Sequence, residues 1–318
     1  MARFASIILM LLIISPVNAE TLRVISLYPG HSDNISAMGG NLVALSENDD
    51  DDLLPGLPRI SLRSGAERIL ALRPDVVITR PFAERINPNM YDVLKRSGVK
   101  VISIDPPKWD DFPEYLLTLA ESLNLNPANG IARLDSILAE MESESRKSDA
   151  RLESESSRIE SPAQFSHAKN ESHIPESNAR YESESSKPNR PRVFLEATSR
   201  EIHTCAPDSW PARLISLAGG VNIAMDAKPL RNGSAIAPYG VERVLKNAGS
   251  IDVYIIQTGA MNPATTESFK DREWSSALSH ARVYEIPERY ISRPSLLGLE
   301  KGLKILRHIF TEDSENAR

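Results

Sequence analysis

Cysteine is almost missing from this chain. Cys205 is the only one in 318 residues, so no intrachain disulfide can form and no cysteine-based zinc site can be complete. Excess positive charge is missing too. Lys and Arg number 37 against 43 Asp and Glu, a formal net charge of −6, which argues against a nucleic-acid-binding face. There is no G-x-G-x-x-G after a strand, no G-x-x-x-x-G-K-[ST], no H-E-x-x-H and no G-x-S-x-G. These absences weaken the case for nucleotide-dependent or hydrolytic chemistry, although many catalytic sites carry no local motif.

Long apolar runs are also lacking. The longest, Ile7–Ile14, is shorter than the ~20 residues a membrane-spanning helix needs. Arg3 precedes it, Ser15 and Pro16 break it, and Val17-Asn18-Ala19 offers a small-x-small cleavage site. Residues 1–19 therefore read as a secretory signal peptide, with a soluble, exported chain beginning near Glu20. No cysteine near that site would accept a lipid. At 41% hydrophobic and 25% charged residues, the remainder has a globular profile and the length for two domains.

What is present occurs twice. Residues 66–81 read AERILALRPDVVITRP and residues 241–259 read VERVLKNAGSIDVYIIQTG. In each, a glutamate (Glu67, Glu242) opens a short amphipathic helix. An aspartate (Asp75, Asp252) then precedes a run of β-branched residues, the pattern of a helix feeding a buried parallel strand. Upstream of each copy lies a strand (RVISL, RVFLEA), a loop, a helix and a double glycine (SAMGGN, SLAGGVN). Downstream lies another strand (VKVISID, ARVYEIP). The expected fold is two similar α/β lobes with parallel sheets. The N-terminal lobe covers 20–126 and the C-terminal lobe 191–311, with a tail at 312–318. A connector helix is expected over 127–150, fraying within 145–158. From 151 to 190 the chain is rich in Ser and Glu, with recurring ESES and few apolar residues, and is expected to be disordered. His167 and His173 within it are read as chance. Ser32 or Asp33 is expected to cap the first long helix. The aspartate run from Asp49 to Asp52 lacks a calcium-loop register and is read as a solvated acidic loop.

Ligands of open parallel sheets bind beyond the carboxyl ends of the strands. The loops there hold Tyr28, His31, Arg80, Phe82 and Trp109 in the first lobe, and His203, Cys205, Trp210, Met261, Tyr290 and Arg293 in the second. Aromatic, basic and soft groups together suit a large ligand with apolar faces and anionic or polar edges. His31, His203 and Cys205 are also imidazole and thiol groups able to approach a metal.

In this order and spacing, RVISLYPGHSDNISAMGG, AERILALRPDVVIT, GVKVISID, ARLISLAGGVNIA, GVERVLKNAGSIDVYII and RYISRPSLLGLEKGL resemble the periplasmic substrate-binding proteins of ABC importers for ferric siderophores, haem and cobalamin. The resemblance covers nearly all of the chain after residue 19 except the Ser/Glu-rich insert. It implies two lobes joined by one long helix, a ligand cleft between them, and no catalytic residue or resident cofactor. The cargo would be an iron or cobalt chelate, bound by a monomer in the periplasm and delivered to an ABC permease dimer in the inner membrane. The resemblance gives Glu67 and Glu242 the role of docking to permease arginines. The alternatives it leaves are a zinc or manganese receptor, an exported metallochaperone or enzyme using His31, His203 and Cys205, and a sensor subunit.

Overall fold

A computed structural model of the chain describes residues 21–49, 54–159, 190–231 and 233–311. The segment read as a signal peptide, the remainder of the Ser/Glu-rich insert with His167 and His173, and the tail lie outside the described residues.

The first half runs β1 (Val24–Ser26), α1 (Pro29–Ala37), β2 (Leu42–Ser46), β3 (Arg59–Ile60), α2 (Ala66–Leu70), β4 (Val76–Thr79), α3 (Pro81–Ile86), α4 (Pro88–Arg96), β5 (Lys100–Ser103), α5 (Phe112–Ser122) and α6 (Pro127–Ile159). The second runs β6 (Arg192–Glu196), β7 (His203–Cys205), α7 (Trp210–Leu217), β8 (Val221–Asn222), β9 (Ile236–Pro238), α8 (Val241–Lys246), β10 (Val253–Thr258), α9 (Thr266–Lys270), β11 (Arg282–Pro287), α10 (Glu288–Ile291) and α11 (Leu296–Thr311). One parallel sheet has the order β3-β2-β1-β4-β5 and the other β11-β10-β6-β8. The series β2-β1-β4-β5 and β8-β6-β10-β11 are the same walk, so the chain is two α/β lobes of one design. β7 and β9 pair antiparallel as a separate ribbon in the second lobe.

The repeat is enforced by the same contacts in each lobe. Asp75 Oδ2 accepts the Arg23 amide at 2.7 Å, and Asp252 Oδ2 accepts the Arg192 amide at 2.7 Å. Each aspartate thereby ties the start of its own strand to the start of the lobe's first strand. The double glycines match as well. Gly39 (φ +81°) and Gly219 (φ +97°) take the left-handed turn that ends α1 and α7, conformations that cost a glycine little. The Gly40 and Gly220 amides then close back on the Ile35 and Ile215 carbonyls at 2.8 and 2.9 Å.

Strand residues alternate between two cores. Val24, Val76 and Ile78 share one large cluster with Val193, Leu195, Val253 and Ile255, filled in by α1, α5, α6, α7 and α11. Ile25 and Val77 face a smaller cluster in the first lobe, and Phe194, Tyr254 and Ile256 face another in the second. The helix α6 packs on α5 of the first lobe and α11 of the second. It reaches Ile159, beyond the expected end at 150, and holds helix through the stretch expected to fray. Its Glu, Arg, Lys and Ala residues are good helix formers that lose little rotamer freedom, so few apolar contacts are needed.

Two local expectations are corrected. α1 begins at Pro29 with Tyr28 as its N-cap, so Ser32 and Asp33 lie inside the helix rather than capping it. Proline is pre-organised for the first helical position, which moves the start forward. Asp49 is buried and not solvated; its Oδ2 accepts the Ser46 amide at 2.9 Å and lies 3.0 Å from the Ser32 hydroxyl. The residues 50–52 of the same run lie outside the described residues.

Because a hydrogen bond to a charged group contributes about 1.5–3 kcal/mol, Asp252→Ala should lower the free energy of unfolding by about 1–2 kcal/mol after allowing for its partial exposure. Asp75→Ala should do the same, and the double variant should show nearly the sum, since the two sites share no partner. Urea titrations followed by circular dichroism measure all three.

Candidate functional site

In each sheet the strand order reverses at one place, where loops leave in opposite directions and a crevice opens. In the first lobe this is between β1 and β4. Tyr28 follows β1 and Arg80 follows β4, and the two meet there: the Arg80 guanidinium lies 4.7 Å from the Tyr28 ring centroid. Arg80 also lies 3.8 Å from the Asp105 carboxylate, which follows β5. Pro81 starts α3, whose Phe82 is 55% exposed. Ile86, one turn on, is also exposed. The sequence reading missed Ile86, although its i, i+4 spacing from Phe82 after an N-terminal proline was the available signal.

The second lobe contributes the segment after β11. Arg293 is only 8% exposed and lies 3.9 Å from Glu288. The Tyr28 phenol is pushed up by burial, opposed by the charges of Arg80 and Arg293 and reinforced by Glu288 and Asp33. Groups of both lobes therefore act on one phenol. Asn34 holds them in register. It is buried in α1, donates from Nδ2 to the Gly30 and Pro294 carbonyls at 2.7 and 3.1 Å, and accepts the Leu296 amide at 2.9 Å. Gly298 and Gly302 let the segment lie flat on α11, since a Cβ at either would collide with the Arg289 or Tyr290 carbonyl oxygen. Tyr290 lies between the Arg289 guanidinium at 4.6 Å and the Lys301 ammonium at 5.4 Å. Met261, in the loop after β10, is exposed.

Several expected site residues are buried. His31 is fully buried: its Nε2 is 3.0 Å from the Ile104 carbonyl and donates to it, which leaves Nδ1 to accept from the Tyr115 hydroxyl at 2.7 Å. Burial pulls its pKa down to about 4, so it stays neutral with both nitrogens in use. Cys205 is buried in β7, with the Asn222 amide 3.5 Å from Sγ, and burial pushes its thiol up to about 11. Trp210, the first residue of α7, is buried against Phe112 at 4.9 Å and Trp109 at 4.7 Å. Trp109 and Trp210 thus join the two lobes to each other. In α1 and α7 the first turn packs into the shared core, and Cys205 ends the ribbon strand β7 on the same core. His203 lies at the ribbon's other end, in a groove that also holds Glu242.

At the second lobe's reversal point, between β6 and β10, the crevice is filled from within. The fully buried Glu196 receives both arms of Arg272 at 2.5 and 3.0 Å, the Tyr254 hydroxyl at 2.6 Å and the Asn262 amide at 3.2 Å. Neither Glu196 nor Arg272 was expected from sequence. A lone glutamate in an apolar strand (RVFLEA) was the signal, since a buried carboxylate demands a partner. With His31 and Cys205 sealed, the metallochaperone reading loses two of its three residues. Among the described residues no group of three His, Cys, Asp or Glu side chains converges for a metal ion.

Asp49 gives a pH test. Burial raises its pKa to about 7, with Asp33 adding and the Ser32 and Ser46 hydrogen bonds and Arg293 opposing. The unfolded value is lower, so the folded chain is favoured below about pH 4 and loses that stability as pH rises to about 7. Asp49→Asn should therefore gain roughly 1–3 kcal/mol over the parent at pH 8 and little at pH 4. Thermal melts across that range would check it.

No protein-family model matches the chain, and no curated protein matches it. Solved structures do. A possible iron-binding, periplasmic solute-binding protein from Staphylococcus epidermidis superposes with a TM-score of 0.60 at 18% identity, covering 90% of this chain and 97% of the other. The periplasmic haem-binding protein RhuT from Roseiflexus sp. RS-1 gives 0.59 at 18%, covering 91% and 98%. The periplasmic vitamin B12-binding protein BtuF of Vibrio cholerae gives 0.52 at 20%, covering 91% and 98%. Across nine-tenths of its length the chain shares the two-lobed, parallel-sheet α/β fold of these binding proteins.

Proposed function

We propose that this protein is the extracytoplasmic solute-binding component of an ABC importer. It captures a metal chelate, either a ferric siderophore or a tetrapyrrole-type complex, between its lobes and hands it to an inner-membrane permease. One observation supports this most: the Tyr28–Arg80 stack sits at the first lobe's strand-order reversal with Arg293 of the second lobe brought to it, in a fold shared with iron-, haem- and vitamin B12-binding proteins. Exposed Phe82, Ile86 and Met261 offer apolar surface to the ligand, and Arg80 and Arg293 offer cations to its acidic groups. No bond is made or broken, the chain works as a monomer, and the signal-like N-terminus sends it to the periplasm.

The docking role of Glu67 and Glu242 belongs to the same proposal. Each is exposed at the second position of a short helix, after a glycine N-cap (Gly65, Gly240), in the matching strings GAERIL and GVERVL. In each lobe a Cβ on that glycine would press on the glutamate Oε2, at 2.7 and 3.2 Å. The shared glycine leaves the carboxylate room to fold back over its own helix start. Exposed ion pairs contribute about 0–1 kcal/mol each, so their use is registration and steering.

The test is a fluorescence titration of the chain from Glu20 with hemin, cobalamin, and ferric hydroxamate, catecholate and citrate complexes, with zinc chloride as control. One chelate should saturate at one equivalent. Arg80→Ala and Tyr28→Ala should weaken it at least ~10-fold each, the loss of one charge-assisted or stacking contact of about 1.4 kcal/mol. Saturation by zinc alone, or by none of these, would overturn the reading.

A further inference from the structure

Arg80 and Asp105 face each other across the carboxyl ends of two neighbouring strands. β4 and β5 pair in parallel with Thr79 opposite Ser103, so Arg80 is the first residue past one strand and Asp105 the second past the other. Each stands directly before a proline, Pro81 or Pro106, and a residue before proline is confined to extended backbone. Arg80 has that conformation, with φ −118° and ψ 150°. Ile104, next to Asp105, is tied on both sides. Its amide donates to the Thr79 carbonyl at 3.0 Å, and its carbonyl accepts from His31 Nε2 at 3.0 Å. The two charges therefore hang from fixed points.

Their contact is incomplete. Asp105 Oδ1 stops 3.8 Å from Arg80 Nε, too far for a hydrogen bond. That Nε–H is buried and has no acceptor among the described residues. A buried donor without an acceptor is costly, so an acceptor that reaches it from outside the chain gains by doing so. The face of the guanidinium already lies over the Tyr28 ring, which leaves its N–H edge for such a partner.

The second lobe has a similar pair at the other cation. Glu288 Oε1 is 3.9 Å from Arg293. Glu288, however, is packed against backbone: a Cβ added to Gly259 would lie 2.7 Å from its Oε2. The Asp105 side chain is 66% exposed and the Glu288 side chain 33%. Of these two carboxylates, Asp105 is the one free to turn into water.

We infer that Asp105 is a resident counter-ion, displaced by an acidic group of the cargo, and that it makes the cleft selective for anionic chelates. In the empty cleft it offsets the charge of Arg80 without engaging the N–H edge. A cargo carboxylate takes its seat at hydrogen-bond distance, where a charge-assisted bond is strongest, and Asp105 turns to solvent. A chelate without an acidic group cannot replace the charge it would displace, so Asp105 stays. Selectivity is the difference between these two exchanges. The inference rests on the proposed importer role and narrows its cargo. Asp105 acts through Arg80 and is a specificity-determining residue.

Titrations of the chain from Glu20 test this. Hemin, ferric citrate and a ferric tris-catecholate serve as anionic probes. Hemin dimethyl ester, cobalamin and a ferric trihydroxamate serve as probes without an acidic group. At least one anionic probe should saturate at one equivalent. Asp105→Asn should tighten that probe about 3- to 5-fold, the most an exposed ion pair supplies, and leave the other class within about 2-fold. Asp105→Ser should act alike, and Asp110→Asn, a control for charge at longer range, should give no gain. In an Arg80→Gln background the gain from Asp105→Asn should vanish, as a double-mutant cycle requires of a residue acting through Arg80. Saturation only by probes without an acidic group would overturn the counter-ion and leave the importer reading standing. So would an anionic probe unchanged or weakened by Asp105→Asn, or a gain that survives Arg80→Gln or is matched by Asp110→Asn. Saturation by no probe would remove both.

Discussion

The junction between α1 and the start of α11 is the constraint on which the rest depends. Asn34 spends both hydrogens and its oxygen there, two of the three bonds reaching a segment 260 or more residues away. A buried amide that is fully satisfied specifies one arrangement, because any shift strands a donor or acceptor away from water. α1 carries Tyr28 at its start and His31 one turn in; the α11 segment carries Arg293. Fixing one against the other fixes the chemistry of the cleft floor. The apolar cluster that runs through both lobes makes the same junction thermodynamically: parallel strands must be covered on both faces, and the inner covers of the two sheets are shared.

The lobes share a design yet differ in what they do with it. In the first, the strand-order reversal is left open for Tyr28 and Arg80. In the second it is closed by Glu196 and Arg272, with Tyr254 and Asn262 completing the network. A buried carboxylate held by four hydrogen bonds from three residues is costly to disturb, since losing one partner leaves a desolvated charge. The second lobe therefore meets Tyr28 and Arg80 through the segment after β11.

The architecture could be read from sequence because its signals are periodic and doubled. Apolar runs behind Asp75 and Asp252, and the two Gly-Gly stops, have one physical meaning wherever they occur. Site residues were less legible because orientation is decided by single residues. Pro29 and Pro81 set where a helix begins, and with it whether the next side chains face in or out; His31 turned inward and Phe82 outward on that account. Cys205 and Trp210 followed the fold of a ribbon and a helix start that carry no periodic mark. Asp49 stood among three further aspartates and looked hydrated, while its burial comes from Ser32 and Ser46, which sequence distance hides.

Along α6, Arg133 pairs with Glu300 at 2.9 Å and Glu144 pairs with Arg307 at 2.5 Å, Arg307 also reaching the Met141 carbonyl at 2.5 Å. Residues 133 and 144 are separated by about three helical turns, so both fastenings lie on one side of the helix, about 16 Å apart. A beam riveted once can swivel about its rivet; riveted twice it cannot. The second lobe's last helix is in this sense part of the beam, and relative movement of the lobes is left to torsion of the shared apolar layer. Such a body yields by small amounts under load and springs back.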